Sequence, residues 1–138
     1  MPRPRRGALP DNVVGEQVRL ALTEARGVGL SVAKLVMATE LSPYQVGRGL
    51  RWYKEVGAQI YTAPITRDRD GFHLPSDVTD LLVYERSECR VVATRLERLV
   101  SGTFVPHAAL FPTDQAVTVV LPQLQGIAAQ LHSFATGP

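Results

Sequence analysis

The sequence predicts a mainly α-helical protein with one small β-hairpin, and three observations carry this prediction. Apolar residues recur at spacings of three and four from Val14 to Tyr53, as in helices packed on a core. Two short β-prone runs, residues 60–65 and 72–74, flank a turn-rich stretch. The helical period then returns. At 138 residues, with 45% hydrophobic and 20% charged residues, the chain should form one folded domain plus an appendage.

The first twelve residues have a different composition from the rest. They hold three prolines and three arginines, Arg3, Arg5 and Arg6, and we expect a basic extended arm over residues 1–12. The first helix should follow, with Asn12 as its N-cap and Gly27 near its end.

Two further helices are predicted from their capping residues. Ser31 should cap the second helix, and Ser42 the third, with Pro43 in the first turn of the third helix. Val46, Leu50 and Tyr53 fall at i, i+4 and i+7, which predicts a buried stripe. We expect Gly57 to end this helix.

The remaining elements follow from the same rules. Residues 60–65 and 72–74 should pair as a hairpin, with Pro64 restricting the first run to an edge. A long helix is expected over residues 76–100, then a proline-bearing loop over residues 105–112. A last helix over residues 113–134 should be kinked or split by Pro122. The predicted organisation is therefore an arm (1–12), a helical domain with the hairpin (13–75) and a helical region (76–138).

Residues 31–60 carry a specific pattern of apolar, small and polar positions. The matched residues are Leu35, Ala38, Leu41, Ser42, Val46, Arg48, Leu50, Tyr53, Gly57 and Ile60. This stretch resembles the winged helix-turn-helix of bacterial and phage transcriptional regulators with a MarR/PadR-like architecture, a family otherwise unresolved. In that pattern the turn begins with a left-handed glycine, a position that Glu40 holds here.

The resemblance implies a protein that binds double-stranded DNA. A recognition helix enters the major groove, where Gln45 is expected to pair with adenine and Arg48 with guanine. Ser42, Arg51 and Lys54 are expected at phosphates, and the arm and the wing in minor grooves. The expected DNA-binding residues are Arg3, Arg5, Arg6, Ser42, Pro43, Tyr44, Gln45, Arg48, Arg51, Trp52, Lys54, Arg67 and Arg69.

The charge distribution separates the two ends of the chain. Residues 1–54 hold nine Arg or Lys against four Asp or Glu, which favours a polyanionic partner. Residues 99–138 hold no Arg or Lys and a single acid, Asp114. We expect this apolar tail and the long helix together to bind the same region of a second copy of the chain. The resulting homodimer would be typical of a repressor. The expected dimerisation residues are Leu82, Cys89, Val92, Leu96, Leu99, Val117, Leu121, Leu124 and Leu131.

Other function classes have little support in the sequence. The three histidines lie in no nucleophile or metal motif, so we expect no enzyme, no cofactor and no metal site. No apolar run is long enough to cross a membrane, and no signal core follows the basic N-terminus, which favours the cytoplasm. Two alternatives stay open: a winged-helix protein-interaction module, and a replication or partition protein of a phage or plasmid. An effector, small molecule or protein, also stays open.

Overall fold

The first part of the chain consists of helices followed by a β-hairpin. The computed structural model describes residues 9–137. The elements here are α1 (Asp11–Glu24), α2 (Val32–Thr39), α3 (Pro43–Trp52), α4 (Ala58–Tyr61), β1 (Thr66–Asp68) and β2 (Gly71–His73). A π-helical turn, Tyr53–Gly57, joins α3 to α4 without a break. The fold is mainly helical with a two-stranded antiparallel hairpin, as the sequence predicts.

The rest of the chain is helical. Helix α5 (Val78–Leu99) continues through a π-helical turn (Val100–Phe104) into α6 (Val105–Leu110), and a second π-helical turn (Ala116–Val120) leads into α7 (Leu121–Thr136). The chain divides between Leu81 and Leu82 into two units. We call residues 9–81 the N-terminal unit and residues 82–137 the C-terminal unit. No helix among the described residues is both long and apolar enough to cross a membrane.

Local chemistry explains where α2 and α3 begin. The Ser31 hydroxyl accepts a hydrogen bond from the Lys34 backbone N–H at 3.2 Å. Ser42 and Gln45 form a reciprocal capping box, in which the Ser42 hydroxyl accepts from the Gln45 N–H and the Gln45 amide oxygen from the Ser42 N–H. Between these helices Glu40 has a φ of 59°, the left-handed conformation that glycine holds in the family pattern.

The core of the N-terminal unit lies between α1, α2 and α3. Its buried apolar residues are Val14, Val18, Ala21, Leu22, Leu35, Leu41, Val46, Leu50, Tyr53, Ile65 and Phe72. Two glycines let α1 and α3 approach closely. A Cβ on Gly49 would lie 2.8 Å from the Val14 carbonyl oxygen, and a Cβ on Gly15 would overlap the Trp52 ring. The predicted stripe of Val46, Leu50 and Tyr53 is buried, as expected.

Backbone hydrogen bonds attach the hairpin to the segment that precedes α2. Strands β1 and β2 pair with Thr66 opposite His73 and Asp68 opposite Gly71. Leu30, just before α2, forms an isolated antiparallel bridge with Phe72 on the other edge of β2, with N–O distances of 2.8 and 2.9 Å. The backbone before α2 therefore fixes the hairpin to the helical core.

Two predictions around residue 60 are wrong. Gly57 does not end the third helix, because it lies within the π-helical turn and packs against Trp52 and Tyr53. Residues 60–65 are not a strand: they finish α4 and form a loop, and the helix ends at Thr62, whose φ is 48°. The Tyr53 hydroxyl holds this loop by donating to the Ala63 carbonyl at 2.6 Å.

Other boundaries also differ from the predictions. Helix α1 begins at Asp11 after Pro10, so Asn12 is inside the helix and is not its cap. The predicted loop over residues 105–112 is helical as far as Leu110, since Pro106 lies in the first turn of α6, where a missing N–H is tolerated. Pro122 likewise lies in the first turn of α7, directly after the π-helical turn.

Candidate nucleic-acid interface

Helix α3 has one buried and one exposed side. Because Val46, Leu50 and Tyr53 point into the core, the opposite side is open to solvent. Its residues recur at spacings of three and four and are Tyr44, Gly47, Arg51 and Lys54, which we call the α3 face. The Tyr44 side chain is 73% exposed, and nothing lies within 4 Å of a Cβ added at Gly47. The α3 face is thus an accessible helical surface on a fixed scaffold.

The segment that carries the α3 face is positively charged. Residues 41–54 carry Arg48, Arg51 and Lys54 and no acidic residue. The Lys54 ammonium lies 5.2 Å from the centre of the Phe72 ring, and the Arg67 guanidinium lies 5.1 Å from the same centre. Phe72 therefore brings one cation of the helical segment and one of the hairpin to a single aromatic side chain.

The tip of the hairpin is electrostatically mixed. Arg69 is exposed in the turn between Asp68 and Asp70. The Asp68 carboxylate accepts a hydrogen bond from the Asp70 backbone N–H at 2.8 Å, which stabilises the turn. Two carboxylates within three residues reduce the attraction of this tip for phosphate.

Two residues predicted to face outward do not. Gln45 is 3% exposed, and its amide oxygen is used in the capping box, so it is not available to a base. Trp52 is half-buried, with its ring against Gly15 of α1 and Gly57 of the π-helical turn. The glycines leave the space that this large ring fills.

The other residues of this helix that were expected to contact DNA lie at its N-terminus and beside the exposed side. Pro43 is exposed, while the half-buried Ser42 uses its hydroxyl to cap the helix. The Arg48 side chain is 20% exposed, and its guanidinium is bound to Asp11 and to the Leu9 carbonyl oxygen. Arg48 thus differs from Arg51, which is on the exposed side.

The predicted arm residues Arg3, Arg5 and Arg6 lie outside the described residues. Their positive charge nevertheless determines the sign of the net charge of the first 81 residues. Residues 9–81 carry eight Arg or Lys against nine Asp or Glu. The excess of positive charge in the first 81 residues therefore comes from the three arginines of the arm.

Two residues of this region were missed by the sequence-based prediction. Gly47 belongs to the α3 face, and the spacing of three from Tyr44 is the signal that would have found it. Asp11 binds Arg48 from 37 residues away, and no local pattern in the sequence indicates that pair.

The expected dimerisation residues are all exposed or half-buried in the single chain. They are Leu82, Cys89, Val92, Leu96, Leu99, Val117, Leu121, Leu124 and Leu131. Among residues 82–137, the buried side chains are those of Ala93, Ala128 and Ala135. The large apolar side chains of the C-terminal unit thus remain partly accessible.

The histidines are paired with carboxylates. The pairs are His73–Asp80 at 2.8 Å, His107–Asp114 at 3.4 Å and His132–Glu97 at 2.6 Å. Within the part of the chain that the structure describes, no cluster of three or more His, Cys, Asp or Glu residues is suited to a metal ion.

Comparison with protein-family models, with curated proteins and with solved structures finds no match to this chain.

Proposed function

We propose that this protein binds double-stranded DNA through a winged helix-turn-helix and regulates transcription. The observation that carries the proposal is the α3 face. It combines an exposed tyrosine, a glycine that opens the helix surface and two exposed cations, Arg51 and Lys54, on a helix fixed by buried residues. A helix of this kind fits the major groove, with cations reaching phosphates or the acceptor edge of guanine.

The order of elements supports the same proposal. Two helices separated by a tight turn at Glu40 precede an antiparallel hairpin, and Leu30 pairs with β2 from the segment before α2. A hairpin attached in this way can act as a wing. Arg67 and Arg69 would then contact the DNA backbone beside the groove that α3 enters.

The C-terminal unit supports association into a homodimer. Val92 and Leu99 are 46% and 44% exposed, so apolar surface of this unit is available for contact with a second copy. Since residues 99–138 carry one charged side chain, two copies could meet there with almost no like-charge repulsion. Two-fold symmetry would match a palindromic site, as in a cytoplasmic repressor.

Selection of bound fragments from a random duplex library tests DNA binding. We expect an enriched sequence whose affinity falls by a factor of at least about 10³ between roughly 50 and 200 mM salt, as six or more phosphate contacts require. An unenriched library, or an affinity independent of salt, would contradict the proposal and favour the protein-interaction module.

A matched pair of charge variants locates the interface. Arg51→Ala should weaken binding to the selected duplex by about tenfold or more, since one good contact contributes about 1–3 kcal/mol. Arg95→Ala removes the same charge from an exposed position of the C-terminal unit and should leave affinity within about twofold. Equal losses in the two variants would contradict the assignment to the α3 face.

A further inference from the structure

Gly47 differs from the other glycines of the N-terminal unit. Glycine destabilises the interior of a helix relative to alanine, so it is expected where a close contact or a special backbone conformation requires it. Each of the other six glycines among residues 9–81 meets one of these conditions. Gly27 has a φ of 84°. At the remaining five a Cβ would lie less than 3.0 Å from another atom; these are Gly15, Gly29, Gly49, Gly57 and Gly71. Gly47 has helical backbone, and a Cβ there would meet nothing within 4 Å.

Two residues of the α3 face flank Gly47. Tyr44 comes three residues before it and Arg51 four residues after it, so all three are neighbours on one side of the helix. The Tyr44 side chain is 73% exposed, and the Arg48 guanidinium, itself bound to Asp11, lies 5.9 Å from the centre of its ring. This cation–ring contact favours a defined orientation of the ring. We call the open space over Gly47, between Tyr44 and Arg51, the α3 notch.

The base of the α3 notch presents no hydrogen-bonding group. Gly47 has no side chain, and its backbone N–H and C=O lie within α3, where they bond inside the helix. In the major groove the bases present donors, acceptors and one apolar group, the C5 methyl of thymine. Carbon atoms in van der Waals contact lie about 3.5–4.0 Å apart, so the open space over Gly47 has room for a methyl group.

The place of Gly47 along the helix fits a contact with a base. It is the fifth residue of α3 (Pro43–Trp52), and residues near the N-terminal end of a recognition helix contact base edges. Arg51 and Lys54 follow on the same face, where they can contact guanine or the phosphates.

We propose that the α3 notch accepts the C5 methyl group of a thymine, which makes Gly47 a residue that determines base specificity. This role rests on the proposed DNA binding and adds to it the identity of one base. The absence of a side chain at position 47 is then required by the DNA and not by the fold. Alanine at this position would place its own methyl group in the space that the thymine methyl occupies.

Removal of a methyl group from the DNA, combined with addition of one to the protein, tests this proposal. In the duplex selected from the random library, each thymine in turn is replaced by deoxyuridine, which lacks only the C5 methyl. We expect one position at which this replacement weakens binding of the unmodified full-length chain by about threefold to fivefold, the effect of burying one methyl group. In Gly47→Ala the same replacement should have no effect or should strengthen binding. Tyr44→Ala removes one side of the notch and should reduce the preference for thymine to less than about twofold.

Gly126→Ala is the matched control. Gly126 lies in α7, and a Cβ there also meets nothing within 4 Å, so this variant gains the same helix propensity in the other unit. It should keep the thymine preference of the unmodified chain, because that preference is a ratio of two affinities of one protein. Thermal unfolding verifies that each variant is folded.

Three results would overturn the proposal while leaving DNA binding intact. They are an undiminished thymine preference in Gly47→Ala, an equal loss of the preference in Gly126→Ala, and a selected duplex in which no thymine methyl affects affinity. If the unmodified chain binds no duplex at all, the proposed function fails together with this inference.

Discussion

The two units of the chain use their apolar residues in opposite ways. In the N-terminal unit Val14, Val18, Leu35, Val46 and Tyr53 are fully buried. In the C-terminal unit the side chains that are buried among the described residues belong to three alanines, and leucines and valines remain accessible. Full burial of a Val or Leu side chain contributes about 1.5–3 kcal/mol, so burial of large apolar side chains stabilises the first unit more than the second.

This difference in burial fits the different roles that we propose for the two units. A close-packed core holds helix α3 at a defined orientation, which a surface that reads DNA needs. A unit that leaves large apolar side chains exposed is suited to association, and we propose a second copy as its partner. Variants in each unit separately test this difference in burial. Trp52 is the single tryptophan, so its fluorescence reports on the unfolding of the N-terminal unit.

The largest expected difference is between two truncations of aliphatic side chains. Leu35→Ala should lower the free energy of unfolding by about 2–5 kcal/mol, because Leu35 is fully buried. Ile127→Ala should cost the Trp52-monitored unit less than about 0.5 kcal/mol, because Ile127 is 45% exposed in the other unit. Denaturant titration measures both. Equal losses would contradict the comparison.

Two glycine-to-alanine variants, one at a packed helix contact and one on the exposed α3 face, should change the free energy of unfolding in opposite directions. Gly15→Ala would overlap the Trp52 ring and should destabilise by about 1–3 kcal/mol. Gly47→Ala meets no atom within 4 Å and should stabilise α3 by up to about 1 kcal/mol, since alanine favours helix over glycine. Thermal unfolding measures both variants, and destabilisation by Gly47→Ala would mean that the α3 face is covered.

A smaller effect is expected from the hydroxyl of a buried tyrosine. Tyr53→Phe removes the donor to the Ala63 carbonyl and should cost about 0.5–1.5 kcal/mol. Burial raises the pKa of Tyr53, consistent with a hydroxyl that stays protonated and donating. Tyr44→Phe is the matched control at an exposed position and should change stability by less than about 0.5 kcal/mol. A larger loss in the control than in Tyr53→Phe would reverse this assignment.

The smallest effect is a pH dependence at the outer side of α1. The Tyr61 hydroxyl donates to Glu16, and this bond, aided by Arg19, lowers the pKa of Glu16 below its ordinary value of 4.5. A lowered pKa in the folded state gives stability above pH 4.5 that is lost as the pH falls through the folded value. Tyr61→Phe should therefore lower the unfolding midpoint at pH 7, and the difference should shrink toward pH 3.

Asp114→Asn is the matched control for this pH effect. The backbone N–H of Ala116, with His107, lowers the pKa of Asp114, but the residue belongs to the C-terminal unit. Its replacement should leave the Trp52-monitored pH profile unchanged. A difference between Tyr61→Phe and the unmodified chain that persists undiminished at pH 3 would exclude Glu16 as the cause.

Features governed by neighbouring residues could be predicted from the sequence. Ser31 and Ser42 cap their helices, and the stripe ending at Tyr53 is buried. Each depends on residues within one or two turns of helix, so spacing and side-chain type suffice.

Features governed by distant residues could not be predicted. Trp52 is drawn inward because Gly15, on another helix, leaves room for its ring. Arg48 is bound by Asp11 from 37 positions away. Gln45 is a different case: the Ser-x-x-Gln spacing at Ser42 is itself the local signal of a capping box, and this bond holds the Gln45 side chain inward instead of toward a base.

The most direct test is an NMR titration of the isotope-labelled full-length chain with the selected duplex at low salt. The proposed DNA binding predicts that the backbone amides of Tyr44, Gly47 and Arg51 shift the most and saturate together, followed by those of the β1–β2 turn. Shifts confined to residues 82–137, or no shifts at about 50 mM salt where phosphate contacts are strong, would contradict it.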